Sequence, residues 1–247
     1  MPLSKINRPG LNTGIADSSD ATAITIDSSE RVGFGVTPEA RVDILGNSDT
    51  VTALKIGPNA NFGHHFYDSS TNGDLVIKRE LSGTQTETMR LSRANGVVTM
   101  PFQPAFRAGV NGNYTHGSGN AVQFNDVGTG GEFFNQGNHL ATSGNYRFTA
   151  PVSGVYHFHC CIIWQGISTN TGMGDSLRFN VNGSIRGYSE RRAYYVANVT
   201  GNAGYYTDFM SDTYRLDAND YVFVQGQRSE VIHGNQQYSR WSGFLIG

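Results

Sequence analysis

Residues 155–164, VYHFHCCIIW, form the clearest strand signal in the chain. Successive side chains of a β-strand point to opposite faces of the sheet, so this stretch separates into two sets. One set is bulky and mostly apolar: Tyr156, Phe158, Cys160, Ile162 and Trp164. The other set is His157, His159, Cys161 and Ile163. The pattern predicts a long strand whose aromatic set faces a core.

Further short strands surround this one in the C-terminal part of the chain. Residues 177–181, 221–225 and 241–246 are rich in aromatic and β-branched side chains, which favour strands. Asn182-Gly183 follows the first of these runs and is typical of a tight hairpin turn. Many short strands at this spacing predict a β-sandwich or a jelly roll.

Composition extends the all-β prediction to the whole chain and argues against several function classes. Of 247 residues, 31 are glycine, 15% are charged, and the formal net charge is −2. This charge gives no electrostatic basis for binding nucleic acid. We expect no membrane insertion and no signal peptide, because no apolar run reaches about 18 residues and the start, MPLSKINRPG, has no apolar segment. Cys160 and Cys161 are neighbours that would point apart on a strand, so we expect free thiols.

The two parts of the chain differ in their aromatic content. The chain has 14 Phe, 12 Tyr and 2 Trp, but residues 1–100 contain only Phe34, Phe62, Phe66 and Tyr67. Aromatic side chains dominate core energetics, so the N-terminal part needs partner chains to bury its surface. This N-terminal part contains short strand-like runs at 23–26, 32–36, 41–45, 51–56, 74–79, 87–92 and 97–100. We predict an elongated β-rich shaft at 23–103, with an ordinary small β domain as the alternative. We expect His64 and His65 to lie on the surface or along the axis of this shaft.

The sequence of residues 24–46, ITIDSSERVGFGVTPEARVDILG, resembles units common in bacteriophage tail-fibre and other virion appendage proteins. The resemblance is carried by Val32, Gly33, Gly35, Pro38, Val42 and Ile44. Residues 87–106 similarly resemble a junction between shaft and head. The resemblance implies that residues 1–22 anchor the chain to other virion tail or capsid proteins. It also implies assembly in the host cytoplasm and a final location on the virion surface.

From residue 104 the order of landmarks resembles the globular heads of complement-one-q and tumour-necrosis-factor-like proteins. AVQFNDV at 121–127 and the stretch 144–160 carry the central signature through Phe124, Asn125, Tyr146, Phe148, Pro151, Gly154, Tyr156 and Phe158. YRLDANDYVFV at 214–224 and SRWSGFLIG at 239–247 match the last two elements. The resemblance implies a ten-stranded jelly roll at 104–247 that assembles as a compact homotrimer.

Aromatic residues of this head are candidates for the core or for the trimer interface, two roles that the sequence leaves open. They are Phe124, Tyr146, Phe148, Tyr156, Phe158, Tyr221, Phe223, Trp241 and Phe244.

The loops at 163–175, 187–206 and 226–240 mix aromatic residues with amides and arginine, a composition that suits stacking on sugar rings and hydrogen bonding to hydroxyl groups. The candidate ligand-binding residues are Trp164, Arg191, Arg192, Tyr194, Tyr195, Tyr205, Tyr206, Arg228, Gln236 and Tyr238. The alternative is that these tyrosines pack against a neighbouring subunit and that the arginines cover them.

No motif of a hydrolase nucleophile, a phosphate-binding loop or a zinc protease is present, so we predict no catalytic site and no cofactor. His157 and His159 have the spacing of metal ligands on a strand, but we expect a solvent- or interface-facing pair. Two interpretations are open for the carboxylates of Asp208, Asp212, Asp217 and Asp220. They are candidates for a calcium site, but we favour the alternative that they are ordinary carboxylates of turns and hairpins. We therefore predict no metal.

These observations predict a trimeric phage tail fibre whose head binds a host-surface receptor, most simply a glycan. Two alternatives are a purely architectural head fibre, decoration protein or tail adaptor, and a polysaccharide-degrading tail spike.

Overall fold

The computed structural model describes residues 24–34, 36–44, 52–69, 71–128, 132–167, 177–189, 204–235 and 237–247, with backbone only at 166, 167, 204 and 206. The chain divides into two units, Met1–Met100 and Pro101–Gly247. Every regular element in the described ranges is a β-strand, which confirms the all-β prediction. No helix in these ranges has the length and hydropathy needed to cross a membrane.

The N-terminal unit contains a three-stranded and a five-stranded sheet. Its strands are β1 Ile24–Ile26, β2 Val32–Phe34, β3 Val42–Ile44, β4 Leu54–Asn59, β5 Phe62–Asp68, β6 Leu75–Leu81, β7 Thr84–Leu91 and β8 Val98–Thr99. Strand β2 pairs antiparallel with β1 and parallel with β3, whereas β4 to β8 form an antiparallel meander.

Gly33 allows the turn that follows β2. A Cβ atom at this position would lie 2.2 Å from the carbonyl oxygen of Val36 and 3.0 Å from Cδ of Pro38, because the chain folds back against β2. A side chain does not fit in this space, which gives a local reason for the glycine.

The second unit contains two antiparallel sheets. Its strands are β9 Ala105–Gly109, β10 Tyr114–Thr115, β11 Phe134–Gln136, β12 Phe148–Thr149, β13 Gly154–Ile167, β14 Leu177–Val181, β15 Ser184–Tyr188, β16 Gly204–Leu216, β17 Tyr221–Gly226, β18 Val231–Ile232 and β19 Arg240–Leu245. The predicted count of ten is not confirmed, since eleven segments occur in the described ranges and three of them have two residues.

Strand β13 organises the larger, seven-stranded sheet. It pairs with β16 along one edge, and on its other edge with β19 and then with β18. β9 continues the sheet beyond β19, and β11 lies outside β9. The smaller sheet has the order β12-β17-β14-β15. The predicted hairpin turn joins β14 to β15, with φ of 50° at Asn182 and 83° at Gly183.

The core contains the aromatic set of the 155–164 stretch. Tyr156, Phe158, Cys160, Ile162 and Trp164 have no solvent exposure, as the alternation predicted. The other large, fully buried side chains are Phe106, Phe124, Phe148, Leu177, Phe179, Leu216, Ile232 and Trp241. Phe148 of the smaller sheet meets Phe158 of the larger one with ring centroids 5.5 Å apart. Because one face of the larger sheet packs against the smaller sheet, its other face points outward.

One expectation for the N-terminal unit is wrong. His65 is not a surface residue: it is buried, its Nε2 lies 2.7 Å from Oε2 of Glu80, and its Nδ1 lies 2.7 Å from the hydroxyl of Thr52. His64 on the same strand is exposed, as expected. The polar partners explain the difference, because they satisfy both ring nitrogens of His65 away from water.

Candidate ligand-binding site

The outward face of the seven-stranded sheet carries the candidate site. Side chains on this face follow the register of β13 with β16, so that Cys161 opposes Phe209, Ile163 opposes Thr207, and Gln165 opposes Tyr205. On the other side of β13, His157 opposes Phe244 of β19. The register therefore arranges the face in rows, with Phe244 toward one end and Tyr205 toward the other.

Three large apolar side chains are exposed on this face away from the Tyr205 end. Phe209 is 55% exposed, and Phe244 and Phe134 are each more than 40% exposed. The ring of Phe244 packs against His157, with centroids 5.5 Å apart. We call Phe209, Phe244 and Phe134 the aromatic patch. The three rings are spread over the face, with Arg240 and Arg107 between them in the register, and each offers apolar surface to a partner.

The opposite end of the face forms a cavity of about 370 Å³, which we call the aromatic cup. It is lined by Ile163, Tyr205, Thr207, His233 and Tyr238. The imidazole of His233 stacks on Tyr238 at 5.0 Å and meets the edge of Tyr205 at 5.2 Å. The three rings therefore form a continuous aromatic wall that remains open to solvent, since Tyr205 is 60% exposed.

His233 also brings an unused polar atom to the cup. The backbone N–H of His233 donates to the carbonyl of Ile163 at 2.8 Å, which fixes the residue beside β13. Its Nδ1 is shielded from solvent and has no hydrogen-bond partner among the described residues. Buried polar atoms are normally hydrogen-bonded, so this nitrogen keeps an unused hydrogen-bonding capacity at the wall of the cup.

The structure brings together only part of the predicted ligand-binding set. Tyr205 and Tyr238 line the cup, and the side chain of Tyr206 is not described. The remaining loop candidates lie outside the described residues: Arg191, Arg192, Tyr194, Tyr195 and Gln236.

Trp164 and Arg228 are corrected by the structure. Trp164 is fully buried, and its indole N–H donates to Oδ2 of Asp208 at 2.8 Å, so its ring faces the core. Arg228 is largely buried and forms an ion pair with Glu230 at 3.3 Å. Both side chains are held by neighbours within the domain, which removes them from the candidate ligand contacts.

Sequence reasoning missed Ile163, Thr207 and His233 in the cup. Strand parity places Ile163 on the outward face, and the register with β16 adds Thr207 beside it. His233 follows the two-residue strand β18, too short to show any alternation.

The aromatic residues predicted for the core or the interface fall into three groups by their burial. Phe124, Phe148, Tyr156, Phe158 and Trp241 are buried in the core. Phe244 is exposed on the outward face of the larger sheet. Tyr146, Tyr221 and Phe223 are half-buried; Tyr221 stacks on Phe223 at 6.4 Å and lies under the guanidinium of Arg147.

Several of the possible metal ligands have partners within the domain. The ring nitrogens of His157 lie 3.1 Å from the hydroxyls of Thr213 and Ser211. Asp212 accepts a hydrogen bond from the hydroxyl of Tyr214, and Asp220 accepts one from the backbone N–H of Asp217. Among the described residues no three His, Cys, Asp or Glu side chains cluster as a metal site would require.

Burial controls the protonation of groups near the core. It raises the pKa of the Tyr114 hydroxyl to about 12, and it raises the pKa of both cysteine thiols. Cys160 and Cys161 are free and remain protonated at neutral pH, as poorly reactive thiols. Burial also lowers the pKa of His116 and of His159, with Arg240 lowering that of His159 further.

Comparisons with known proteins concern the second unit. No curated protein matches the chain. Three similar solved structures are the globular domain of zebrafish complement 1qA (17% identity, TM-score 0.42, 59% of this chain and 98% of that chain), Eiger TNF from S. frugiperda (11%, 0.41, 59% and 93%) and murine APRIL (12%, 0.42, 58% and 99%).

A model of the C1q domain family matches residues 105–246, more than half of the chain. The match confirms the resemblance predicted for this part and leaves residues 24–46 outside it, so their likeness to virion proteins stays a prediction. The chain belongs to the C1q domain family.

Proposed function

We propose that this chain is the subunit of a homotrimeric phage tail fibre, in which the C1q domain binds a host-surface glycan. In this proposal residues 1–22 attach to other virion tail or capsid proteins, residues 23–103 form the shaft, and the domain at 104–247 is displayed on the virion surface. The sequence of residues 24–46, which resembles units of virion appendage proteins, supports the virion assignment. Within it, Gly33 allows the close backbone contact of the turn that follows β2.

The aromatic patch supports trimer formation through the C1q domain. Phe209 and Phe244 expose apolar surface beside the polar side chains of β13 and β16, which is the composition of an interface core with a polar rim. Burial of this surface against two further copies removes it from water, the main driving force of stable association.

The aromatic cup is the observation that carries the glycan proposal. Its rings offer faces on which the apolar side of a sugar can stack, and Nδ1 of His233 and the hydroxyl of Thr207 can pair with sugar hydroxyls. A binding site of this composition needs no catalytic group and no metal, in line with the non-enzymatic function that the sequence predicts.

Phe244 is well separated from the cup along the sheet. The row of Phe244 and His157 lies eight residues from the row of Gln165 and Tyr205, which is about 26 Å at roughly 3.3 Å per strand residue. Phe209 lies nearer, four residues from Tyr205, and would mark the border between the trimer contact and the cup. The end of the face that carries Phe244 can therefore pack in the trimer while the cup stays open, which gives three cups per trimer and the avidity of several weak sites.

Binding of the full-length chain to purified host envelope polysaccharide tests the proposal. Tyr238→Ala removes one stacking ring and is expected to weaken binding about tenfold, equivalent to about 1.4 kcal/mol. Tyr188→Ala is the matched control, because Tyr188 is a similarly exposed tyrosine on β15 of the other sheet. Equal affinities of the two variants would contradict a role for the cup.

The same experiment separates the other functions. A trimer that binds no host polysaccharide and leaves phage adsorption unchanged when antibody covers the head indicates an architectural protein. New reducing ends in the polysaccharide after incubation indicate a degrading spike.

A further inference from the structure

Most apolar side chains of the five-stranded sheet lie on its exposed face, whereas Tyr67 and Val76 are buried on the other. We call these residues the apolar face: Leu54, Phe66, Ile77 and Met89 in one row, and Leu75, Leu91 and Val98 in the next. Leu54, Leu75 and Val98 are each more than 40% exposed. In a soluble antiparallel sheet with one solvated face, that face is ordinarily polar.

The opposite face is mainly polar. Tyr67 and Val76 are buried on it, and its charged side chains pair with one another within the sheet. Glu80 lies 2.7 Å from Nε2 of His65 and accepts a hydrogen bond from Lys55. The guanidinium of Arg90 pairs with Glu87 at 2.6 Å and with Asp74 at 3.1 Å. These contacts use the charges of the polar face within one chain, so the apolar face is the one that needs a cover.

We propose that the apolar face packs against the same face of the two other subunits, so that three sheets enclose a core around the axis of the fibre. This inference rests on the homotrimer proposed above. Three N-terminal units tethered to one trimeric head have effective concentrations in the millimolar range, which makes copies of this chain the most available partners.

The size of the face suits this occupant. Two rows, each about 6.6 Å along the strands, across five strands at about 4.8 Å spacing give roughly 320 Å² per chain. Three chains together contribute about 950 Å², close to the roughly 1,000 Å² that a specific interface should reach. The row of Phe66 and Ile77 contains no ionisable side chain. Asp68 lies opposite Leu75 in the second row, and the row on the other side carries His64 and Arg79, so charged side chains flank the apolar ones as in an apolar core with a charged rim.

The edges of the sheet favour contact through the face over the addition of strands. Strand β4 contains Pro58, which cannot donate a ladder hydrogen bond, and β8 has only two residues. Short or proline-containing edge strands discourage pairing with another chain. The face is thus the surface of this sheet best suited to a partner.

Oxidation of Met89 by peroxide in the full-length protein tests the inference, because sulfoxide formation follows solvent access. The oxidation rate of Met210, which is buried in the C1q domain, gives the slow limit, and the oxidation rate of a methionine peptide added to the sample gives the fast limit. We expect Met89 in the trimer to react at a rate near that of Met210. A trimer in which Met89 reacts near the fast limit overturns this inference and leaves trimer formation by the head intact.

Sedimentation of the same sample reports the oligomeric state, and a monomeric chain would overturn both proposals. Ile77→Glu places a charge in the central row and is expected to bring the Met89 rate toward the fast limit while the head keeps the trimer together. Leu81→Glu, at the hairpin end of the same strand, is the control and should leave the rate unchanged. A trimeric Ile77→Glu variant with slow Met89 contradicts the inference, and if that variant fails to fold, the wild-type rate still decides.

Discussion

Gly243, in the closing SGFLIG stretch, shows how one residue is dictated by the core. A Cβ atom at this position would lie 2.6 Å from Cδ1 of Phe158 and 2.7 Å from Cε1 of Phe106. Both rings are buried and packed against Trp241 on the same strand, so neither has free space into which to move. The backbone of β19 can approach these rings only because position 243 has no side chain.

We expect Gly243→Ala to lower the free energy of unfolding by about 1–3 kcal/mol, the usual effect of overpacking a core. Urea unfolding at one fixed protein concentration measures this, because association also shifts apparent stability. Ser242→Ala, which faces outward on the same strand, should change stability by no more than about 0.5 kcal/mol. A Gly243→Ala protein as stable as the wild type would refute the packing argument.

At the scale of the element, β13 shows what strand alternation can predict. Its observed bounds, Gly154–Ile167, enclose the predicted 155–164, and each residue assigned to the core face is buried. Alternation has a period of two and directly reflects the pleat of the strand, so it transfers from sequence to structure. Strand β5 was missed because FGHHFYD has two adjacent histidines where alternation would require one polar and one apolar residue.

Phe209 allows a test of the trimer contact at one element, β16. Phe209→Glu places a charge in a surface that is apolar and exposed in the single chain, so the fold should survive while association weakens at least tenfold. Sedimentation equilibrium should show the mass shift from three times 26.8 kDa toward 26.8 kDa. Tyr188→Glu, on the other sheet, is the control; unchanged association in Phe209→Glu would place the contact elsewhere.

For the whole molecule, buried histidines link stability to pH. His116 is buried beside Tyr114 and Trp164, and burial lowers its pKa below the ordinary 6.5. Below about pH 6.5 the unfolded chain binds this proton more readily than the folded chain. The free energy of unfolding therefore falls as the pH drops from 6.5 toward the pKa of the folded state.

Urea unfolding at about pH 7.5 and about pH 5.5 should show lower stability at the acidic value, in a range where carboxylates stay ionised. His116→Gln cannot take up the proton and should reduce this difference. Part of the difference should remain, because burial also lowers the pKa of His139 and of His159. An identical pH dependence in the variant would exclude His116 as a source.

The sequence predicted the architecture of the C1q domain better than its site, and the reason is physical. Ordered landmarks such as Phe124, Phe148 and Trp241 are core residues whose positions follow from packing. The cup depends on which strand pairs with which, and a residue such as His233 reaches it only through the register of β13 with β18. Composition selected Tyr205 and Tyr238, which line the cup, but also Trp164, because an indole gives the same compositional signal in a loop and in a core.

The position of β19 has a consequence for biosynthesis. This strand lies between β13 and β9, so the centre of the larger sheet is completed by Arg240–Leu245. The sheet cannot close during translation until residue 245 has left the ribosome, and its pairing of distant segments is of the slow-folding kind. A chain interrupted before that point leaves the facing edges of β9 and β13 unpaired, and unpaired strand edges are templates for association with other chains.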